Sequence, residues 1–306
     1  MKRETIRTAL ALALAAVFCL CSLPVSVAEE VYVENEWNFA DQSMDVSHGI
    51  PDNATGVLDR IKRKGVLRVA TEPYFAPQVF IDPDKKGQEQ YVGADMELAR
   101  LIAERMGVEL QIVPMEFTQV LPSLTEDQCD LTISGIVFTP GRASSYAMSK
   151  GYYFPDRASS TTFIIRQEDL ENIRTLEDLR DKTMIAQSNS LQEALASSYV
   201  YNYKEFRRVS SLQAVYEALK SGKADAGAVD LVTAETYVRN NPDAGLVIAD
   251  GLKLVMEDYF LGDRIVAKKG ELQLMYFVNG VIDEVLDGTY QKWIEEAQER
   301  AAELGL

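Results

Sequence analysis

The sequence contains a single histidine, His48, and this scarcity argues against the commonest kind of acid–base catalysis. It also contains no C-x-x-C pair, no H-E-x-x-H pair, no G-x-S-x-G turn and no phosphate loop ending in Gly-Lys-Ser/Thr. These absences exclude the usual zinc, serine-nucleophile and nucleotide sites, and we expect neither a metal nor a cofactor. Chemistry carried by carboxylates alone stays open.

Cysteine is scarce as well, and two of the three cysteines lie in the first 21 residues. This region has a basic start, an apolar run over residues 9–20 and the small-x-small sequence Ser26-Val27-Ala28. The pattern is typical of a secretory signal peptide with a leader-peptidase site. The run is shorter than the roughly 20 residues that a permanent membrane span needs. We therefore expect residues 1–28 to be removed and the protein to be exported, to the periplasm or the cell surface.

A second kind of processing, lipid attachment at Cys21, stays open but is not favoured. That processing normally requires a small residue before the cysteine, and Leu20 precedes Cys21. Cleavage after Ala28 would leave Cys129 as the only cysteine. Because one cysteine cannot form an internal disulfide, stability would then depend on the hydrophobic core.

Positive charge is in deficit, with 31 lysines and arginines against 47 acidic residues and a net charge of −16. Residues 1–28 carry three basic side chains and one acidic one, so the remainder has a net charge of −18. Such a charge disfavours nucleic acid and anionic membranes as partners. It mildly favours a cationic ligand.

After a polar segment over residues 29–57, which we interpret as a tether or a strap on the first lobe, strands and helices alternate. Two successive series of strand–helix units predict two α/β lobes with parallel sheets. The predicted strands are Val66–Ala70, Leu110–Val113, Leu131–Ile133, Thr162–Ile165, Met184–Ala186, Ala226–Val229 and Ile265–Ala267. The predicted helices are one capped by Asp95 and ended by Gly107, residues 118–125, one capped by Ser211, residues 231–239, and two in the last 35 residues.

Several stretches, in order and in spacing, resemble the bacterial extracellular solute-binding proteins of family 3, the polar amino-acid branch. The first is Gly93-Ala94-Asp95-Met96-Glu97-Leu98-Ala99. The others are Gly65–Thr71, Phe117 with Leu121–Leu124, Asp130–Ile136 with Thr139–Arg142, Gly151–Tyr153, Leu176–Leu179, Ser221–Asp230, and Asp287–Tyr290 with Trp293. The resemblance covers roughly residues 58–300.

The resemblance implies a periplasmic-binding-protein fold of type II, in which two Rossmann-like lobes are joined by two crossover strands. The first lobe would comprise residues 58–156 and 264–306, and the second residues 157–263. The ligand, a free amino acid, would lie in the cleft between the lobes, at the carboxyl ends of the strands. The implied protein is a monomeric receptor, not an enzyme, that closes on its ligand and delivers it to an ABC permease.

Within this frame, Arg142 matches the arginine that binds the ligand carboxylate, and its planar guanidinium suits bidentate pairing. The local sequence agrees, because Thr139-Pro140 is a good start for a helix that would present Arg142 at its first turn. Asp230 matches the acidic residue that binds the ligand ammonium. The two residues belong to different lobes, so a zwitterion would bridge the cleft.

The other matching positions surround the ligand. The resemblance implies side-chain walls from Phe75 and Phe117, an acidic group at Glu72 that favours a basic or amide side chain, ammonium acceptors at Ser134 and Gly135, and carboxylate donors near Gln187, Ser190 and Leu191. Four positions depart from the family pattern. Val137 and Leu191 replace residues that often carry a hydroxyl group, Asn189 replaces a glycine, and Ala94 replaces a bulky residue.

An enzyme on the same fold, a periplasmic dehydratase of the cyclohexadienyl type, is the alternative. Relatives of that kind resemble this chain at the carboxylate arginine and use an acidic residue near the loop of the second lobe. Glu193 stands at such a position, although binding proteins commonly have a glutamate there too.

Overall fold

The computed structural model describes residues 42–154, 161–254 and 262–306. The predicted signal peptide, residues 1–28, and the first part of the predicted tether lie outside these ranges. The two predicted crossovers between the lobes also fall largely outside them, on residues 155–160 and 255–261. Within the described ranges, no helix has the length and apolar character needed to cross a membrane.

Thirteen strands form three sheets in the described chain. In chain order they are β1 (Val66–Thr71), β2 (Tyr74–Phe75), β3 (Val79–Ile81), β4 (Tyr91–Val92), β5 (Glu109–Pro114), β6 (Leu131–Thr132), β7 (Tyr146–Tyr153), β8 (Thr162–Arg166), β9 (Thr183–Gln187), β10 (Glu205–Val209), β11 (Ala226–Val229), β12 (Leu246–Ile248) and β13 (Asp263–Lys268).

Of the described helices, one precedes β1, two follow β13 and the others lie between strands. They are α1 (Gly56–Lys64), α2 (Ala94–Met106), α3 (Phe117–Val120), α4 (Pro122–Thr125), α5 (Pro140–Ser145), α6 (Leu191–Tyr199), α7 (Leu212–Lys220), α8 (Leu231–Asn240), α9 (Leu272–Val285) and α10 (Thr289–Leu304). Short 3₁₀ turns lie at Gly87–Gln90, Gln167–Asp169, Leu176–Leu179 and Pro242–Ala244.

The two five-stranded sheets are mixed, so the prediction of parallel sheets is wrong in part. The first sheet has the order β5-β1-β6-β13-β7, in which β1 runs parallel to β5 and β6, while β13 is antiparallel to β6 and β7. The second has the order β10-β9-β11-β8-β12, in which β8 is the antiparallel strand. β8 and β13 are the strands that follow the passage from one sheet to the other. Each of them pairs antiparallel with its neighbours and so runs in the reverse direction within its sheet.

Every strand predicted from the sequence is present, and the missed strands of the large sheets share one property. β7, β10 and β12 all lie at the edges of their sheets. A central strand is apolar on both faces, whereas an edge strand need not be. β10 reads Glu-Phe-Arg-Arg-Val and therefore has no strand-like apolar pattern.

Helix starts follow from capping side chains. Four residues accept a hydrogen bond from the backbone amide three residues later, which satisfies a free amide of the first turn. They are Thr139, Ser190, Ser211 and Asp230. The predicted cap of α2 is wrong: Gly93 is the N-cap residue, and Asp95 is buried in the first turn. Gly107 ends α2 in the left-handed conformation, as predicted.

Each large sheet has its own core. In the first lobe, α1, α2, α9 and α10 cover the sheet with side chains such as Leu58, Leu98 and Phe277. In the second lobe, one cluster around Phe163 and another around Val215 fill the two faces of the sheet. The separate cores produce two lobes, while the exact residues at which the chain passes between them stay predictions.

Residues 42–55 lie along α9 of the first lobe. The fully buried Asn279 joins this segment to the sheet, because its Nδ2 donates to the Gln42 carbonyl at 2.8 Å and its Oδ1 accepts from the Lys150 amide at 2.9 Å. Val46 adds its side chain to the core. Next to Asn279, a Cβ atom on Gly280 would lie 2.1 Å from the Met44 carbonyl oxygen. The close approach of this segment to α9 therefore depends on glycine.

We expect Gly280→Ala to destabilise the protein, because the added methyl group displaces the Met44 backbone. Overpacking of this kind costs about 1–3 kcal/mol. Each kcal/mol lowers the Tm of a chain of this size by about 2–4 °C. Thermal unfolding followed by circular dichroism measures the change. Gly141→Ala is the matched control, since nothing lies within 4 Å of its added Cβ, and an unchanged Tm in both variants would contradict the contact.

Candidate functional site

Two small cavities adjoin in the cleft between the lobes, each of about 40 Å³. Both are lined by Phe75, Gly135, Val137, Leu191 and Gln192. The first cavity also has Glu72, Phe117, Ser134, Arg142, Gln187 and Ser190, and the second has Gln78, Tyr153, Asp230, Val232 and Asp263. The structure thus brings all eleven residues proposed from the sequence to one place.

A larger cavity, of about 640 Å³, also has walls from both lobes, including Tyr74, Tyr216 and Tyr237. None of the eleven proposed residues is among those that line it. We place the candidate site in the two cleft cavities, since they hold a half-buried arginine and carboxylates that are half-buried or buried. Charged groups are seldom buried unless a partner compensates them.

Arg142 lies in the first turn of α5, where its amide donates to Thr139 Oγ1 at 3.1 Å. Its guanidinium connects the lobes, because Nη1 donates to the Val137 carbonyl at 2.9 Å and Nη2 to the Asn189 carbonyl at 3.0 Å. Burial lowers the pKa of Arg142 to about 10, so it stays charged at neutral pH. Asn189 adopts the left-handed conformation at a φ of 62°, which asparagine tolerates better than most residues.

Asp230 follows β11 directly and is the N-cap of α8, where its Oδ1 accepts from the Thr233 amide at 3.1 Å. It therefore sits at the carboxyl end of a strand, where α/β sheets place their ligands. Burial raises the pKa of its carboxyl group to about 6. The group is thus acidic, half-buried and at the edge of the second cavity.

Glu72 and Gln187 form a second contact between the lobes. Gln187 Nε2 donates to Glu72 Oε1 at 2.6 Å and to the Ser210 carbonyl at 3.1 Å. Glu72 is only 2% exposed, and this burial raises its pKa to about 7. Its amide donates to Ser134 Oγ at 3.1 Å, which fixes the strand end against the loop that follows β6.

The aromatic wall at Phe75 requires the glycine at position 135. A Cβ atom on Gly135 would lie 2.5 Å from Phe75 Cε1, and the glycine has a φ of 59°. Phe75 also packs against the core that contains Met96 and Ile112. The phenyl ring and the glycine loop therefore define one wall of both cavities together.

A buried carboxylate holds this loop from below. Asp95 accepts hydrogen bonds from the Gly135 amide at 3.1 Å, from Tyr152 Oη at 2.9 Å and from Tyr290 Oη at 2.7 Å. Burial raises the pKa of Asp95 to about 6 despite these three donors. The interpretation of Asp95 as a helix cap concealed this role, because its partners are 40, 57 and 195 residues away in the chain.

Five lining residues were missed by the sequence reasoning: Gln78, Tyr153, Gln192, Val232 and Asp263. Gln192 and Val232 adjoin residues that mark the site. Asp263 was missed for a topological reason. Because β13 is antiparallel to β6, its first residue lies at the edge where the parallel strands end, and Asp263 pairs with Val137 there. A sheet assumed to be parallel puts that residue at the opposite edge.

Two α/β lobes that meet at a closed, charged cleft define a bilobal ligand receptor. The model of the bacterial extracellular solute-binding proteins, family 3, matches residues 67–297. The match extends over more than half of the chain, and the chain belongs to this family. The resemblance proposed from the sequence motifs is confirmed.

Several relatives show how similar the chain is to known members. The arginine-binding extracellular protein ArtP of Bacillus subtilis is 32% identical over 170 residues, which are 54% of this chain and 63%, less than two thirds, of ArtP. The L-cystine-binding protein TcyJ of Escherichia coli is 25% identical over 79% of this chain and 85% of TcyJ.

A solved structure agrees with the fold. The amino acid ABC transporter substrate-binding protein AbpA from Streptococcus pneumoniae, bound to L-arginine, is 33% identical, with a TM-score of 0.71. The match covers 79% of this chain and 98% of AbpA. The type II periplasmic-binding-protein fold predicted from the sequence is therefore confirmed.

The raised pKa of Glu72 predicts a pH dependence of stability. Its pKa rises from 4.5 to about 7 on folding, so the folded state binds the proton more tightly than the unfolded state between these values. Stability therefore falls as the pH rises through this window. Glu72→Gln removes the ionisation and keeps an acceptor for Gln187. We expect the Tm of this variant to exceed that of the wild type by several degrees at pH 8 and to approach it at pH 4.

Scanning calorimetry between pH 4 and pH 8 measures this difference. Glu89→Gln is the control, because it makes the same change on an exposed residue. A difference between Glu72→Gln and the wild type that does not vary with pH would rule out the buried ionisation as its cause.

Proposed function

We propose that the chain is the extracytoplasmic substrate-binding protein of an amino-acid ABC importer, and that it closes on a free amino acid by hinge motion. The observation that carries the proposal is the position of Arg142 and Asp230 in adjoining cavities, on facing lobes. A free amino acid carries one carboxylate and one ammonium, and each is costly to bury without a partner. Arg142 pairs with the carboxylate and Asp230 with the ammonium. The zwitterion then fastens one lobe to the other.

The side-chain end of the site favours a basic ligand. Glu72, Phe75 and Phe117 line the first cavity together. An aromatic face attracts a cation, and a carboxylate at the end of an aromatic channel suits a guanidinium or ammonium group. The names of ArtP and of the AbpA complex agree with arginine, while TcyJ shows that relatives of similar identity bind other amino acids. Among the candidate ligands, we therefore rank arginine and lysine first.

The carboxylate is bound mainly by Arg142 and by backbone groups. Val137 and Leu191 line the cavities without a hydroxyl group. Ser190 has a hydroxyl group whose Oγ accepts from the Glu193 amide at 3.0 Å and caps α6, and whose hydrogen can still be donated to a ligand. Loss of the Arg142 guanidinium is therefore less well compensated here than in a site rich in serine and threonine.

Closure follows from the contacts between the lobes. In the closed cleft, Arg142 already donates to Asn189 across the lobes and Gln187 donates to Glu72. The remaining cavities, of about 40 Å³ each, are too small to admit an amino acid, so the lobes must part before a ligand enters. We propose that a bound amino acid selects the closed form, which then docks on a permease as a monomer.

The dehydratase alternative gains no support from the position of Glu193. Its Oε2 accepts from the Asn189 amide at 2.7 Å and its Oε1 from Arg208 Nε at 2.5 Å. Neither cleft cavity is lined by Glu193. A carboxylate held in this way positions the loop of Asn189 and is poorly placed as a general acid or base. We therefore propose a binding protein without catalytic activity.

A thermal-shift screen of the twenty amino acids with ornithine, citrulline and cystine tests the proposal. A ligand that binds only the folded state raises the Tm by mass action. We expect the largest shifts from arginine or lysine. Asp230→Asn keeps the helix cap and removes the charge, whereas Arg142→Lys keeps the charge and removes the planar fork. Each should weaken binding by at least ~30-fold, because the first leaves the ligand ammonium without a charged partner and the second removes the bidentate pairing with the ligand carboxylate.

Surface variants of the same kind, Arg174→Lys and Asp243→Asn, control for the loss of a fork or a charge elsewhere. Titration calorimetry of all four variants gives the affinities. Unchanged affinity in both Arg142→Lys and Asp230→Asn would show that the ligand binds elsewhere. A panel without any Tm shift in the wild type would overturn the proposed function.

Hinge closure predicts a change in overall size. We expect the radius of gyration from small-angle X-ray scattering to fall when the best ligand of the screen is added in saturating amounts. Asp230→Asn, measured at the same ligand concentration, should compact less. Ligand binding with the same radius of gyration before and after would exclude closure as the mechanism.

A further inference from the structure

The second cavity contains acceptors that the zwitterion site of Arg142 and Asp230 does not explain. Asp263, at the start of β13, lines this cavity together with Asp230 and is only 5% exposed. Among the described residues, no hydrogen bond or ion pair reaches its carboxylate. A second acceptor lies in the same cavity: Gln78 is 3% exposed, and its Oε1 is buried without a hydrogen-bond partner in the described chain.

Buried acceptors of this kind are costly unless a donor reaches them. An ammonium group has three N–H donors and no acceptor. The second cavity supplies an acceptor set of matching number, namely the carboxylates of Asp230 and Asp263 and the amide oxygen of Gln78. As ionised carboxylates and an amide oxygen, the three groups only accept hydrogen bonds and repel one another. Each of them can accept from a cation.

We propose, building on the function proposed above, that Asp263 and Gln78 complete the ammonium site, so that the protein requires a free α-ammonium group and disfavours ligands of net negative charge. This assignment makes Asp263 a determinant of specificity in the same cleft. The backbone of Asp263 forms a β-bridge with that of Val137, and both residues line the second cavity.

The charges around Asp263 support its role. Burial raises its pKa well above the ordinary value, and the negative charges of Asp95 and Asp230 raise it further. Arg142 and Arg264 lower it. Tyr152, Tyr153 and Tyr290 also lie within reach of its charge. In an empty cleft the Asp263 carboxyl group therefore stays protonated to a higher pH than usual. A bound ammonium lowers the pKa of this group, which then loses its proton.

Affinity for matched ligand pairs tests the inference. The pairs are L-arginine with 5-guanidinopentanoate and L-lysine with 6-aminohexanoate, in which the second member lacks only the α-amino group. We expect Asp263→Asn to weaken binding of the amino acid by at least ~10-fold, the range for a lost hydrogen bond to a charged group. Binding of the analogue should change less than about threefold, because it makes no such bond. Gln78→Leu should act in the same direction with a smaller effect.

A proton count separates recognition from a structural role. Titration calorimetry in buffers of different ionisation enthalpy gives the protons released on binding. Because burial raises the pKa of Asp263, we expect the wild type to release more protons on binding than Asp263→Asn. Asp250→Asn, at an exposed residue, controls for the change in net charge. Because asparagine is isosteric with aspartate and removes a repelling charge, we expect the Tm of the free Asp263→Asn variant to be at least that of the wild type.

The outcomes are distinct. If the wild type binds an amino acid and Asp263→Asn discriminates between the pair members as strongly as the wild type, with equal proton release, this inference is overturned and the proposed function stands. The same holds if Gln78→Leu, used where Asp263→Asn does not fold, keeps full discrimination. If the wild type binds neither amino acid of the two pairs, the basic-ligand assignment and this inference are both overturned.

Discussion

The structure of the site depends on the buried Asp95 carboxylate. It accepts from Gly135 in the ligand loop, from Tyr152 at the end of β7 and from Tyr290 in α10. Three segments that are distant in the chain are thereby held to the first turn of α2. The Gly135 loop in turn allows the close approach of Phe75, which forms a wall of both cavities. Burial of a carboxylate with a raised pKa destabilises the fold, but the hydrogen bonds that this carboxylate accepts fix the geometry of the cleft.

In the proposed closing motion, charge opposes closure of the cleft without a ligand. The carboxylates of Glu72, Asp230 and Asp263 line the two adjoining cavities together with one guanidinium, that of Arg142. Like charges at short distance in a poorly hydrated space repel strongly. The interlobe hydrogen bonds of Arg142 and Gln187 oppose this repulsion only in part. In the function proposed above, a cationic amino acid adds positive charge where it is lacking and so favours the closed form.

Much of this could be predicted from the sequence, and the limits have physical causes. Arg142, Asp230 and their neighbours lie in continuous motifs, and the structure collects all eleven in one cleft. Central strands were found because they are apolar on both faces, whereas β10 has no such pattern and the apolar run of β12 is only three residues long. The direction of β13 depends on how the chain returns from the other sheet, which local sequence does not encode. Asp263 was missed for that reason, and Asp95 because its partners are remote in the chain.

The segment over residues 42–55 has a consequence for which lobe moves. The hydrogen bond of Asn279 holds this segment on α9, and Gly280 leaves room for its backbone. Residue 42, where the segment begins, is therefore fixed to the first lobe. Any motion of the second lobe leaves that departure point in place. If the protein is attached at its N-terminal side, the first lobe stays fixed in the proposed closing motion and the second lobe moves.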